Sequence, residues 1–109
     1  MKQSIIIEIE LDENNLPDKI NMKAGRDNEN NSLDSFLFSA WDAKKKETLC
    51  VDLWTKNMLV NDMFIFYHQA LMSMATSLQK STSENELADG LRDYCSFFAK
   101  KTNIINSNS

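Results

Sequence analysis

The chain has 109 residues, of which 42% are hydrophobic, and its formal net charge is −4. A chain of this length forms one domain with one core, and its apolar content is sufficient for folding without disulfides or metals. The negative charge provides no basic field for a phosphate backbone, so we expect no nucleic-acid partner. No window reaches about 18 apolar residues and no apolar run suits a signal peptide, so we expect neither direct membrane insertion nor export by that route. We therefore expect a cytoplasmic protein.

The first half of the chain has the patterns of four β-strands. Residues 4–11 alternate between apolar and polar positions, and residues 19–24 do so more briefly. Residues 25–34 contain a glycine, three asparagines and four charged side chains, which predicts a solvated loop. Residues 35–41 and 47–55 carry apolar bulk on both faces and are joined by a polar connection, which predicts a hairpin.

The second half predicts two helices. A stripe with a period of 3.6 residues predicts the first over residues 60–80, and it comprises Met63, Phe66, Tyr67, Ala70, Leu71, Met74, Ala75 and Leu78. A capping box, with Ser83 as N-cap and Glu86 three positions later, predicts the second over residues 84–101. Residues 103–109 have the composition of a frayed tail. The order ββββαα predicts a two-layer α+β domain, a four-stranded antiparallel meander with two C-terminal helices packed on one face.

One face of the predicted hairpin is the candidate partner-binding site. It carries Leu37, Trp41, Cys50, Asp52 and Trp54. Either the second helix or a terminal segment covers this face, or it binds a partner protein or a second copy of the chain. A carboxylate buried there without a partner would be costly, so Asp52 requires either water or a cation. We hypothesise that the five side chains bind another protein.

Side chains suited to catalysis are sparse. His68 is the one histidine, and no Asp, Glu, His or Cys lies three or four residues from it, so we predict no metal site. Cys50 and Cys95 are predicted to be free thiols, and the two isolated glycines form no phosphate-binding loop. We therefore expect a protein without a cofactor that is not an enzyme. The alternative is a small-molecule-binding domain or enzyme whose cavity, between sheet and helices, contains His68, Asp52 and Tyr67.

Three segments of the chain together form a recognisable pattern. They are residues 41–47 (WDAKKKE), 51–58 (VDLWTKNM) and 67–75 (YHQALMSMA). With residues 8–12 of the opening strand, they resemble the GldC family of gliding-motility proteins from the Bacteroidetes, over about residues 4–104. The resemblance implies a small, soluble cytoplasmic protein that assists gliding motility. Its partner would be another protein, such as one of the gliding machinery, or a second copy of itself, and the resemblance supplies no catalytic residues.

Overall fold

The computed structural model describes residues 1–25 and 29–104. These residues form five strands and two helices, which are β1 (Ile5–Leu11), β2 (Pro17–Ala24), β3 (Glu29–Leu33), β4 (Ser35–Asp42), β5 (Glu47–Trp54), α1 (Val60–Thr82) and α2 (Asn85–Thr102). The chain divides into two compact units, called here the strand unit (Met1–Met58) and the helical unit (Leu59–Ser109). Antiparallel strands followed by two C-terminal helices confirm the α+β class.

The strands form two sheets, so the prediction of a single four-stranded meander is wrong. β1, β2 and β3 form one antiparallel sheet in that order, and β4 and β5 form a second. The additional strand, β3, lies in the segment whose composition predicts a loop. Its polar side chains give no period-two signal, and it forms because its backbone pairs with β2, with Leu33 opposite Ile20. The rest of the predicted loop, residues 26–28, lies outside the described residues.

A bend at Asp34 explains why the strands divide into two sheets. The Asp34 carbonyl accepts a hydrogen bond of 2.7 Å from the Thr55 N–H, which extends the β4–β5 ladder by one pair. Before the bend the chain pairs with β2, and after it the chain pairs with β5. A change of pairing partner within a continuous extended segment leaves no mark in side-chain periodicity.

In the first sheet the central strand, β2, is mostly half-buried, and β1 is mostly exposed. Ile20 of β2 is fully buried and lies opposite Ile9 of β1. Ile5 and Leu11 of β1 share a face with Ile9 but are 71% and 55% exposed. The alternation in β1 therefore identifies one face of the strand correctly, but that face is not buried along its whole length.

The helical unit is held together by small buried side chains and by aromatic contacts. Ala75 of α1 is buried, as are three residues of α2, which are Ala88, Cys95 and Ala99. Beside them, the Phe98 ring lies edge-on to Phe64 at 6.1 Å. Of the predicted α1 stripe only Ala75 is buried and Met74 is 59% exposed, while the other stripe residues are half-buried.

The junction between the helices differs from the predicted capping box. Ser83 has a left-handed φ of 59° and ends α1, with its N–H donating to the Gln79 carbonyl. The N-cap of α2 is Glu84, whose side chain makes no capping hydrogen bond. A residue that ends one helix in the left-handed conformation lacks the extended backbone that an N-cap requires. At the far end Asn103 ends α2 and Ile104 is buried, and the rest of the predicted frayed tail lies outside the described residues.

Candidate functional site

The β4–β5 hairpin carries all five predicted partner-binding side chains. Its turn is formed by Asp42, whose Oδ1 accepts the backbone N–H groups of Lys44 at 3.1 Å and Lys45 at 3.2 Å. The two strands pair from Ser35 opposite Trp54 to Asp42 opposite Glu47 without a bulge. Each side chain of the hairpin therefore has a defined face.

The register separates the hairpin into two faces. Cross-strand partners lie on the same face of an antiparallel pair. Leu37 lies opposite Asp52, and Trp41 lies opposite Thr48. The five predicted residues thus share one face, called here the Trp face, which consists of Leu37, Trp41, Cys50, Asp52 and Trp54. The opposite Phe face consists of the apolar residues Phe36, Phe38, Ala40, Leu49, Val51 and Leu53, with Asp42 and Glu47 at its turn end.

The Trp face is exposed along its length. Trp41 is 66% exposed and Trp54 is 50% exposed. Cys50 is an exposed free thiol whose Sγ lies 3.6 Å from the Ser39 hydroxyl. Asp52 is also exposed, and no hydrogen bond or ion pair joins its carboxylate to another described residue. Because water reaches this carboxylate, it carries no large desolvation cost, and it remains available to a cation from outside the chain.

The Phe face is apolar except at its turn end, where Asp42 and Glu47 lie, and it is also partly exposed. Phe38, Leu49 and Val51 are exposed, and the other three apolar residues of this face are half-buried. The two faces therefore differ in chemistry more than in exposure, because the Trp face has two tryptophans and a carboxylate within a strand, whereas the carboxylates of the Phe face lie at the turn. A partner could contact the apolar area of the Trp face and also place a cation beside the Asp52 carboxylate.

A cleft of about 330 Å³ opens beside Trp54, within the strand unit. Its walls come from the end of β5, from the start of β2 and from the residue that follows the hairpin, and they comprise Leu16, Pro17, Asp52, Leu53, Trp54 and Lys56. The walls are mainly apolar, with one carboxylate and one ammonium group. A cleft of this size and chemistry suits an apolar side chain of a docked segment.

The ammonium group of the cleft is already paired within the strand unit. The Lys56 Nζ lies 3.1 Å from the Asp12 Oδ2 and 3.9 Å from the Asp18 Oδ1. These contacts link Lys56, two residues after β5, to the connection between β1 and β2 through Asp12 and to β2 itself through Asp18. Asp52 is therefore the charged group of the cleft that has no partner among the described residues.

Asp12 organises the turn that forms one side of this link. Its Oδ1 accepts the backbone N–H groups of Asn14 at 2.8 Å and Leu16 at 3.0 Å, and Asn15 adopts a left-handed φ of 63°. The hydrogen bond from the Leu16 N–H and the contact with Lys56 lower the pKa of Asp12 below its ordinary value. The hydrogen bond to Asp12 raises the pKa of Lys56. Both groups therefore stay ionised around neutral pH.

The residues of the alternative, small-molecule site lie in different units. Asp52 belongs to the strand unit, whereas Tyr67 and His68 belong to the helical unit. The half-buried His68 ring lies 6.5 Å from the Phe98 ring, and the Tyr67 ring lies 6.1 Å from Phe66. Within residues 1–25 and 29–104, no three His, Cys, Asp or Glu side chains are placed to hold a metal ion. No helix in that part of the chain has the length and apolarity needed to cross a bilayer.

Sequence reasoning did not identify three residues of the cleft. Leu16 and Pro17 read as turn residues, and Lys56 as an ordinary residue after a strand. The sequence feature that could have indicated this cleft is the pair of carboxylates at Asp12 and Asp18, which flank the turn and would attract a cation. Nothing in the sequence identifies Lys56 as that cation, because the contact joins residues 44 positions apart.

Comparison with known proteins identifies a family. The model of the family described as gliding motility-associated protein GldC-like matches residues 17–104, which is more than half of the chain. This match confirms the resemblance over most of its predicted extent. No curated protein matches the chain, and no solved structure matches it.

Proposed function

The chain belongs to the GldC-like family of gliding motility-associated proteins, and from this premise we propose that it is a non-catalytic accessory protein that binds another protein through the Trp face. The observation that supports the proposal is the exposure of two tryptophans beside the unpaired Asp52 on one face of a regular hairpin. Tryptophan is among the residue types that contribute most to binding at protein interfaces. A protein partner therefore fits this face better than a polar small molecule does.

The chemistry of the face defines the segment that would bind it. An apolar side chain of the partner would enter the cleft between Trp54 and Pro17, and a lysine or arginine would face Asp52. Lys56 would not repel that cation strongly, since Asp12 already neutralises it. The chain's net charge of −4 would also favour approach of a basic segment.

Photo-crosslinking tests which surface the partner occupies. A photoreactive phenylalanine analogue replaces Trp41 or Trp54 in the cells that encode the protein, and Leu87, an exposed apolar residue of α2, provides the control position. We expect positions 41 and 54 to give an adduct with the same protein, and position 87 to give none with it. The crosslinked segment should contain an apolar and a basic residue.

Affinity measurements with that protein then test the energetic contribution of the face. We expect Trp41→Ala with Trp54→Ala to weaken binding by about 30-fold or more, the equivalent of about 2 kcal/mol. Asp52→Asn should reduce the salt dependence of binding, because it removes one charge contact. The same double substitution should reduce gliding at equal cellular protein level. Unchanged affinity, with the fold verified by circular dichroism, would disprove binding through this face.

A further inference from the structure

The outer edge of β5 presents backbone groups that no strand of the described chain pairs with, because β4 and β5 form a two-stranded sheet. The Thr55 N–H donates to the Asp34 carbonyl, so these two residues form a hydrogen-bonded pair of the ladder. Alternate residues of an antiparallel strand direct their backbone groups to the same side. The residues of β5 that direct their N–H and C=O groups away from β4 are therefore Thr48, Cys50, Asp52 and Trp54.

β5 lacks most of the features by which edge strands avoid pairing with other chains. Its sequence, ETLCVDLW, has no proline, glycine or lysine, its register has no bulge, and seven of its eight residues are exposed. It carries two carboxylates, Glu47 and Asp52, as β1 carries two, but β1 also has an irregular register at Glu10/Leu11. β3 has five mostly polar residues, and β4, which also lacks proline, glycine and lysine, has half of its residues half-buried. An exposed, regular and mainly apolar edge is a pairing site, and β5 fits this description better than the other strands.

We propose that β5 pairs with β5 of a second copy of the chain, antiparallel and around a two-fold axis perpendicular to the sheet. A second copy of the chain carries the same exposed edge, and a two-fold symmetric contact needs no other surface, because it uses the same surface of each copy. The product is a four-stranded antiparallel sheet in the order β4-β5-β5-β4. A sheet of two strands is only marginally stable, whereas a sheet of three or more strands can be stable. Pairing between two copies therefore gives each hairpin the additional strands that it lacks.

Charge and face restrict the register of the pair to two possibilities. The two-fold axis keeps each face of the hairpin on its own side, so residues of the same face must pair. A register centred on Asp52 would place the carboxylates of the two copies opposite each other, and like charges in that position are destabilising. Centring on Cys50 pairs residues 47–53, and centring on Val51 pairs residues 48–54, with no opposed carboxylates. Centring on any other residue of β5 pairs five residues or fewer. The axis with the longest ladder therefore passes through Cys50 or Val51.

This arrangement places the two Trp faces side by side on one surface of the sheet. A partner that binds the Trp face would then meet two copies of it. The dimer contact uses the backbone edge of β5, whereas the proposed function uses the side chains of the Trp face, and Cys50, Asp52 and Trp54 belong to both. The oligomeric state is measured on the chain alone and partner binding is measured separately, so failure of one proposal is distinguishable from failure of the other.

The native cysteines provide the first test. Cys50 is exposed and Cys95 is 1% exposed, so a short bis-maleimide applied to the folded chain reacts at Cys50. In either register the Cys50 side chains of the two copies are direct or diagonal neighbours. We expect sedimentation velocity to give a dimer, and the reagent to give a covalent dimer that Cys50→Ser abolishes. A monomer at all concentrations, or a dimer that never crosslinks, would overturn the proposal.

A matched pair of prolines distinguishes the β5 edge from the other surfaces. Asp52 and Leu37 are cross-strand partners whose N–H groups point away from the hairpin on opposite edges, so proline at either position keeps the β4–β5 hydrogen bonds. We expect Asp52→Pro to be monomeric and Leu37→Pro to remain dimeric. The reverse result would place the contact on β4. A dimer that survives both substitutions would mean that the copies stack through a face.

Charge substitution at Cys50 provides a test that does not depend on proline. Because Cys50 is exposed, a charged side chain there leaves the hairpin intact. We expect Cys50→Glu to dissociate in either register, because the new carboxylate would face either its own counterpart or Asp52 of the other chain. Cys50→Lys should dissociate if the axis passes through Cys50, and an equal mixture of the two variants should then form a heterodimer at low salt. If the axis passes through Val51, the lysine would face Asp52 of the other copy, and Cys50→Lys should stay dimeric. A dimeric Cys50→Glu variant would contradict both registers.

Discussion

The strand unit and the helical unit maintain their structures by different interactions. The strands are joined by three antiparallel ladders and by the ion pair between Lys56 and Asp12, while Ile20 is the buried large side chain among the described residues of that unit. The helices contact each other through the Phe98 ring, which lies near Phe64 and His68, and through a hydrogen bond from Arg92 to Gln79, and their buried residues are small, among them Ala75 and Ala88. The first unit depends on its backbone and the second on its side chains.

The difference follows from where each backbone finds its hydrogen bonds. A helix satisfies its N–H and C=O groups internally, so two helices can associate only through side chains. A strand must find a partner strand, and the pairing itself leaves the side chains of both faces uncommitted. This is why the β4–β5 hairpin can be regular and yet expose two tryptophans. The Trp face can therefore be exposed on paired strands without any loss of backbone hydrogen bonds.

The largest expected effect comes from removing the buried side chain of the strand unit. Ile20→Ala should lower the free energy of unfolding by about 2 to 5 kcal/mol, because a cavity replaces a fully buried side chain. Ile6→Ala is the matched control, since Ile6 lies in the same sheet with an exposed side chain. Urea unfolding measures both. Equal losses would mean that side-chain burial contributes little to this unit.

A substitution in the helical unit tests the requirement for small side chains between the helices. Ala88→Leu should lower the free energy of unfolding by about 1 to 3 kcal/mol, because Ala88 is completely buried and a larger side chain displaces its neighbours. Hydrogen exchange should report weaker protection in α1 and α2. An unchanged free energy of unfolding would show that a larger side chain fits at this buried position, contrary to the structure.

Gly90 provides a smaller change of opposite sign in the same helix. A Cβ atom added at Gly90 meets nothing within 4 Å, and its φ is not in the left-handed region. Gly90→Ala should therefore raise the free energy of unfolding by about 0.5 to 1 kcal/mol through helix propensity alone. Urea unfolding beside Ala88→Leu measures the contrast. A loss of stability would show that the glycine has a role beyond propensity.

The smallest expected effect concerns the ionic link of the strand unit. The folded pKa of Asp12 is below its unfolded value, so its contribution is complete above the unfolded pKa and is lost as pH falls through the folded one. Asp12→Asn should lower the melting temperature slightly at neutral pH and have less effect as the pH falls below about 4. Circular dichroism melts across acid pH measure the difference. A pH-independent difference would mean that the turn hydrogen bonds, and not the charge, determine the contribution.

The α+β class, the positions of both helices to within a few residues, and the pairing of two apolar segments in a hairpin were all predictable from the sequence alone. The sequence also placed Leu37, Trp41, Cys50, Asp52 and Trp54 on one face. These features depend on periodicity and on a short connection, which are local properties of the chain. The family assignment also came from local strings of residues.

The division into two sheets and the composition of the cleft depend on contacts between distant residues and were not predictable from the sequence. β3 is a strand because β2 offers it a ladder, and its polar side chains give no period-two pattern that would predict it. The cleft requires Lys56 to meet Asp12, a contact that depends on how the strand unit folds. Likewise, Ser83 is a residue type that favours the N-cap position, but in the structure it is the C-cap of α1. Periodicity reports which side chains share a face, whereas ladders, ion pairs and burial arise between residues that are distant in the chain.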